Sequence, residues 1–132
     1  MPGYAIVLAS GQLERLQAVS NIASIGAASD IPIEVFATMD GLEAFDRERI
    51  EAMDYEMGPV GRAMLEHPEM EMALFVDNFA RAKELGPISL YACELSMDAL
   101  GKGIDEYADV FDDVLGVSGF LTHAADKQVM FV

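Results

Sequence analysis

Short runs of consecutive apolar residues alternate along this chain with segments of helical periodicity. Such runs are typical of strands buried on both faces of a parallel sheet, which cover their faces with the intervening helices. Strands joined by helices predict an α/β fold with a mainly parallel sheet and right-handed crossovers. About five strands are predicted, at Tyr4–Ala9, Ile33–Thr38, Ile88–Ala92, Val114–Leu115 and Gln128–Val132.

The segments between these strands carry apolar residues at helical spacing. We predict helices from Gln12 to about Ala28, from Asp40 through Met53, from about Met72 to Gly86, from Ile104 to Phe111, and from Gly116 to Ala125. Residues 55–72 are broken by glycine and proline and are rich in methionine, which indicates a loop or short-helix insertion. Methionines fill irregular gaps in cores and also line adaptable docking surfaces, so both roles stay open there. We expect a single domain over residues 1–132.

Composition excludes several classes of function. The chain has 23 acidic and 8 basic residues and a formal net charge of −15, with a sequence pI near 4.2. Such a charge repels nucleic-acid phosphates and anionic lipid, so we expect neither nucleic acid nor a membrane as partner. The N-terminus has no positive region and no long apolar run, and a cytoplasmic protein is expected. Nucleotide-binding glycine motifs and an EF-hand are lacking, so we expect no cofactor and no dedicated metal site.

The chain has one cysteine, Cys93, at the predicted carboxyl end of the third strand. Ligands of parallel sheets bind outside the carboxyl ends of the strands, where Ser10–Gly11, Thr38–Gly41 and Cys93–Ser96 should meet. A thiol at the start of a helix faces backbone N–H groups that lower its pKa, although Glu94 opposes this. Free cysteines also often pack as small hydrophobic residues, so a reactive and a structural Cys93 are both open. His67 and His123 are more typical of surface or core histidines than of catalytic bases.

The segment around Cys93 also contains a sequence motif that resembles one of a known family. Tyr91–Gly101, with the sequence YACELSMDALG, resembles the A-C-x-M-S-M-D-x-x-G signature of the DsrE/DsrF-like family, and specifically its DsrE2-type branch of sulfur-relay proteins. Ser10–Glu14 resembles the first strand-to-helix turn of that branch, and Phe36–Leu42 resembles its F-x-T-x-x-G-L element. Val117–Asp126 and Val129–Val132 are loosely similar to the last helix and strand. Residues 55–72 resemble a variable insertion.

The resemblance implies a three-layer DsrE/F-like sandwich that assembles into an oligomer, here a homo-oligomer. It also implies that Cys93 is the catalytic residue and carries sulfane sulfur as a persulfide or thiosulfonate, exchanging it with TusA-like or rhodanese-like proteins. No Arg or Lys lies near Cys93 before Lys102, which favours the persulfide. We predict that substrate is bound by Ser10, Gly11, Thr38, Met39, Glu94, Ser96 and Met97.

The leading functional prediction is therefore a sulfur carrier or sulfurtransferase that passes sulfur from Cys93 to a partner thiol. Whether such a carrier counts as an enzyme is left open. A second hypothesis is a noncatalytic oligomeric binding module in which the methionine-rich segment docks a partner and Cys93 only packs. A third is a peroxiredoxin-like thiol reductase that uses one cysteine and forms a sulfenic acid.

Overall fold

A computed structural model describes residues 2–67, 69 and 73–132. Its five strands form one parallel sheet in the order β4-β3-β2-β1-β5, which confirms the predicted α/β class and the number of strands. Register runs straight across the centre, where Val7 pairs with Phe36 and Phe36 with Tyr91. The strands are β1 Tyr4–Leu8, β2 Ile33–Ala37, β3 Ile88–Cys93, β4 Asp113–Leu115 and β5 Gln128–Phe131.

Helices cover both faces of the sheet, as in a three-layer sandwich. Ile33 and Phe36 point to opposite faces of β2. On one face Ile33 contacts Gly26, where an added Cβ would come within 2.3 Å of the Ile33 side chain. On the other face the ring of Phe36 stacks on Phe120 with centroids 4.7 Å apart. The helices are α1 Leu13–Ala28, α2 Asp40–Glu43, α3 Arg47–Ala52, α4 Pro59–Glu66, α5 Phe75–Leu85, α6 Glu94–Leu100 and α7 Val117–Ala124.

Helices α1 and α5 pack along each other on the Ile33 face, and α7 covers the Phe36 face. Residues on both faces of the central strands are buried because both faces are covered. Ile6, Val35 and Leu90 lie in register on the Ile33 face and have no exposed surface, and Ala5 and Phe36 on the opposite face are also buried. Among the described residues, none of the helices is both long and apolar enough to cross a membrane.

The helix predicted from Asp40 through Met53 is two helices, α2 and α3. The chain turns at Phe45, whose buried ring contacts the rings of Phe75 and Phe111, each at 5.1 Å between centroids. Asp46 then caps α3 by accepting hydrogen bonds from the backbone N–H groups of its second and third residues. Long-range aromatic packing therefore interrupts a continuous helical pattern.

One further helix prediction differs from the structure. Only Ile104–Glu106 of the predicted Ile104–Phe111 helix is helical, as a short 3-10 turn, because Tyr107 is fully buried and forms an isolated bridge with Asp46. The 55–72 segment, predicted as a loop or a short helix, contains the short helix α4, with Pro59 in its first turn, where the missing N–H costs no hydrogen bond. The predicted start of the next helix at Met72 lies outside the described residues, and α5 begins at Phe75.

Candidate functional site

Cys93 ends β3 and immediately precedes α6, so it lies at the carboxyl edge of the sheet as predicted. The neighbouring strand β2 ends at Ala37, which pairs with Ala92 of β3. The residues that follow this pair are Thr38 and Cys93. Thr38 and Cys93 are therefore brought to the same edge of the sheet by strand register. Cys93 is a free thiol and only 1% of the residue is exposed.

Ser96 connects Cys93 to the loop that follows β2. Its hydroxyl accepts a hydrogen bond of 2.9 Å from the backbone N–H of Met39. It also lies 3.4 Å from the hydroxyl of Thr38, and either of these two groups can donate. Thr38 and Ser96 are each 8% exposed. Two buried hydroxyls thus accompany the buried thiol, and the backbone of the adjacent loop holds one of them in place.

Burial raises the pKa of the Cys93 thiol because it disfavours the charged thiolate. The side chains of Ser96 and Thr38 and the backbone of Ser96 and Leu95 favour the thiolate and outweigh burial, so the pKa of Cys93 lies below its ordinary value. Thiolate is the nucleophilic form of cysteine, so the lowered pKa increases the nucleophilic fraction of Cys93 relative to an ordinary thiol.

Met39 has an unusual backbone beside this site. Its φ of 52° and ψ of −135° lie outside the regions that residues with a side chain readily adopt. The same residue is 59% exposed and donates its N–H to Ser96. Strained backbone is retained only where surrounding contacts impose it. Here the hydrogen bond to Ser96 is one such contact, so the loop and the hydroxyl beside Cys93 are coupled.

The structure places the Ser10–Gly11 segment beside the next part of the same loop. Gly11 packs so tightly on Asp40 that an added Cβ would meet its carboxylate at 2.0 Å. Arg49 holds that carboxylate through hydrogen bonds of 2.7 and 3.2 Å and reaches the Gly11 carbonyl at 3.4 Å. Ser10 accepts from the backbone of Gln12. These contacts order the end of β1, and substrate binding by Ser10 and Gly11 stays a prediction.

Arg49 is the cationic residue that the sequence analysis missed near this edge. It lies more than forty positions before Cys93 in the chain, and no local motif marks it. Hydrogen bonding to Asp40 raises the pKa of Arg49, with burial acting in the opposite direction. Because Asp40 pairs with the guanidinium, most of the positive charge is neutralised locally.

The remaining predicted binding residues lie on α6 and differ in environment. Glu94 is exposed on the first turn, whereas Met97 is 7% exposed and belongs to the hydrophobic core. Between them Leu95 presents an apolar side chain to solvent and is 60% exposed. The exposed residues next to this site are thus one acidic residue, Glu94, and two apolar residues, Leu95 and Met39. Binding roles for Glu94 and Met97 stay predictions.

The histidines have other contacts. His123 on α7 lies 3.0 Å from Glu34, and its ring packs against Tyr91 with centroids 4.9 Å apart. His67 accepts a hydrogen bond from the backbone of Glu69. Within residues 2–67, 69 and 73–132, no group of three or more His, Cys, Asp or Glu side chains is arranged to hold a metal ion.

The fold is similar to that of a solved protein of unknown function, MTH1491 from Methanobacterium thermoautotrophicum. The TM-score is 0.59 at 17% sequence identity, and the match covers 98% of this chain and 96% of that chain. This likeness extends over essentially the whole sheet and its helices, and at such low identity it shows the fold alone. The sequence matches no protein-family model and no curated protein.

Proposed function

We propose that this protein is a sulfur carrier of the DsrE/DsrF type in which Cys93 holds sulfane sulfur as a persulfide. The observation that carries the proposal is the position of the chain's one thiol at the carboxyl edge of the sheet, next to the buried hydroxyls of Thr38 and Ser96, which lower its pKa. The resemblance of Tyr91–Gly101 to the sulfur-relay signature supports the same conclusion. The seven predicted binding residues would surround the transferred sulfur.

The transfer needs no external oxidant. The Cys93 thiolate attacks the outer sulfur of a donor persulfide, forming one S–S bond while the donor's own S–S bond breaks and its thiolate leaves. Cys93 is then a persulfide. An acceptor thiolate attacks the outer sulfur in turn and releases the Cys93 thiolate. With one cysteine in the chain, the acceptor thiol must belong to another molecule. Cytoplasmic TusA-like or rhodanese-like proteins are the partners we propose.

Burial of Cys93 requires a movement before either transfer. At 1% exposure the residue cannot meet a donor unless the surface over it opens. The loop carrying Met39 is the element that we propose moves, because its backbone is strained and its side chain is already largely exposed. Loss of the Met39–Ser96 hydrogen bond would accompany this movement. Breaking one hydrogen bond costs about 1 kcal/mol, which is compatible with frequent opening.

The test is mass spectrometry of the intact, reduced protein after incubation with polysulfide and, separately, with tetrathionate. A carrier gains sulfur atoms that reductant removes, and the Cys93→Ser variant gains none. A thiosulfonate formed from tetrathionate would show that the site accepts an anion despite Glu94. The proposal is wrong if folded protein gains no sulfur from either donor.

A noncatalytic binding module is the second candidate, and the near-complete burial of Cys93 favours it. In that case iodoacetamide leaves Cys93 unmodified in the folded protein, and Cys93→Ser keeps full binding to any partner. The peroxide-reductase hypothesis is tested in the same samples by trapping a sulfenic acid after hydrogen peroxide treatment. Sulfur loading that depends on Cys93, without sulfenic acid turnover, would separate the carrier from both alternatives.

A further inference from the structure

Helix α6 starts directly after the thiol and leaves most of its surface unpacked. It buries Ser96 and Met97, and its other residues are exposed. Leu95 and Leu100 are 60% and 57% exposed, and Met39, whose N–H donates to Ser96, is 59% exposed. Grouped apolar side chains on a surface mark sites that bind another molecule. The outer face of α6 is therefore an unpartnered apolar face beside the candidate site.

Two acidic side chains accompany these apolar ones. Glu94 and Asp98 are four positions apart on α6, so they lie on the same side of the helix, and both are exposed. Neither of them forms an ion pair with any residue that the structure describes. Both negative charges are therefore left for solvent or a partner to balance.

The basic residues that could offset these charges are already paired. Arg49 pairs with Asp40 at 2.7 Å, and Lys102, the first basic residue after the thiol in the sequence, pairs with two carboxylates at 2.6 and 2.8 Å. Consecutive Cα atoms are about 3.8 Å apart, so Glu94 lies well within one screening length, about 8 Å, of the cysteine backbone. An incoming thiolate that brings no positive charge of its own is therefore repelled.

We propose that α6 and Met39 form a docking surface for a protein segment that presents its cysteine among apolar and basic side chains. The apolar side chains of that segment cover Leu95 and Leu100, and its Lys or Arg side chains face Glu94 and Asp98. Complementary charge of this kind steers association and selects the partner. The inference rests on the proposed function, to which it adds the chemical class of the partner.

The test is disulfide exchange between Cys93 and two cysteine peptides of equal length. Each peptide carries its cysteine between two leucines, flanked by two lysines in one peptide and by two glutamates in the other, and is supplied as a mixed disulfide with thionitrobenzoate. The Cys93 thiolate attacks the peptide sulfur, so that one S–S bond forms while another breaks, and thionitrobenzoate leaves because it is the more acidic thiol. Its absorbance gives the rate, and the rate with 2-mercaptoethanol corrects for the intrinsic reactivity of each peptide.

We expect the lysine peptide to react about fivefold faster than the glutamate peptide at low salt, and the ratio to approach one at about 1 M salt, where charges are screened within about 3 Å. Both peptides react with the same thiolate, so the ratio does not depend on the acidity of Cys93 or on how often the loop beside it opens. This comparison uses the unmodified protein and requires no variant to fold.

Glu94→Gln combined with Asp98→Asn should remove most of this preference. Asp30→Asn combined with Glu84→Gln is the matched control, because it makes the same change of charge at exposed residues near the opposite, amino-terminal edge of the sheet, and Asn tolerates the positive φ of Asp30. The control should keep the full preference. If it loses as much as the α6 variant, selection comes from net charge alone and the inference is overturned.

Equal rates for the two peptides in the unmodified protein overturn the inference as well. So does a lysine peptide that reacts no more slowly when serines replace its leucines, and so does folded protein that reacts with neither peptide. Sulfur loading from polysulfide is a separate measurement. Loading without a peptide preference overturns the docking surface alone, whereas a peptide preference without loading overturns the carrier and leaves the docking surface.

Discussion

The Cys93 thiol experiences two opposed effects, since burial disfavours its ionisation and hydrogen bonds favour it. Burial has the largest effect on the pKa of Cys93, and among the groups that lower this pKa the Ser96 side chain has the largest effect. Its hydroxyl accepts from the Met39 N–H, which leaves its own O–H free to donate. Ser96 therefore contributes both to the lowered pKa of the thiol and to the attachment of the loop beside it.

Ser96→Ala should raise the pKa of Cys93, so that the pH midpoint of its reaction with iodoacetamide moves upward. Losing a group that favours the thiolate moves the pKa upward, so less thiolate forms near neutral pH. The midpoint is the diagnostic quantity, because a loosened loop could also accelerate the reaction at every pH. Ser118→Ala, at an exposed serine of α7, is the control. An unchanged midpoint in Ser96→Ala would contradict this assignment.

Tyr55 is a second residue whose ionisation is coupled to the fold. Its hydroxyl donates to the carbonyl of Ala44 at 2.8 Å, and burial raises its pKa to about 12. The neutral form is therefore favoured in the folded state. The Tyr55 hydroxyl therefore contributes fully to folding stability below the pKa of tyrosine in the unfolded chain, near about 10. This contribution is lost as the pH rises towards about 12, the pKa of Tyr55 in the folded protein.

Tyr55→Phe should be about 1 kcal/mol less stable than the unmodified protein at about pH 8, because Ala44 loses its donor. The difference should shrink at about pH 11, where only the tyrosine protein must keep a proton in order to fold. Urea denaturation at the two pH values measures both effects. A deficit that is the same at both would show that the Tyr55 hydroxyl titrates equally in the folded and unfolded states.

At the scale of elements, the break between α2 and α3 joins two parts of the chain that are distant in sequence. Asp46 caps α3 and also accepts a hydrogen bond of 2.8 Å from Lys102, which in turn donates to Glu43 at 2.6 Å. Tyr107 donates to Glu43 as well. The segment after α6 is thereby tied to the end of α2 and to the turn between α2 and α3.

The sequence predicts β1, β2 and β3 because strands covered on both faces need continuous apolar runs, such as Ala5–Leu8. It likewise places Thr38 and Cys93 at one edge, since parallel strands share their carboxyl ends. The helix predictions are wrong around Phe45 and Tyr107, because these two residues fall at positions that fit an apolar helical periodicity. Each is buried through partners far along the chain, and no local periodicity contains that information. The Arg49–Asp40 pair at the end of β1 was missed for the same reason.

Asp46→Ala should destabilise the protein by about 2 kcal/mol, because it removes the cap of α3 and one partner of Lys102. Asp46→Asn keeps a capping oxygen and loses the charge, so its cost should be smaller. The hydrogen bond from Lys102 lowers the pKa of Asp46, with burial opposing it. The charge therefore contributes stability that is present above the unfolded pKa, near 4, and is lost as pH falls.

Denaturant unfolding of Asp46→Ala and Asp46→Asn, with exposed Asp109→Ala as control, measures these costs. The gap between the unmodified protein and Asp46→Asn should close on acidification below about pH 4. Equal stability of Asp46→Ala and Asp109→Ala near neutral pH would mean that neither the cap nor the ion pair stabilises the fold.

For the whole molecule, the two edges of the sheet differ in how they are protected. The β4 edge has three residues and begins with exposed, charged Asp113. The β5 edge presents Val129 and Phe131, which are 54% and 76% exposed. On its other face Met130 borders an apolar groove with Ile22 and Ile25 of α1. Uncharged edge strands tend to pair with other chains, so β5 is the edge at which we expect the homo-oligomer implied by the family resemblance to form.

Phe131→Glu should prevent the expected homo-oligomer from forming through β5, because it places a further charge on an edge of chains that each carry a net charge of −15. Sedimentation velocity over a range of protein concentrations measures the association. Salt should strengthen it in the unmodified protein, since screening reduces repulsion between the chains and leaves the apolar contact intact. Leu85→Glu, at an equally exposed leucine that ends α5, is the control and should leave the oligomer intact. If Leu85→Glu dissociates the chains and Phe131→Glu does not, the contact lies on the α5 side and β5 is a free edge.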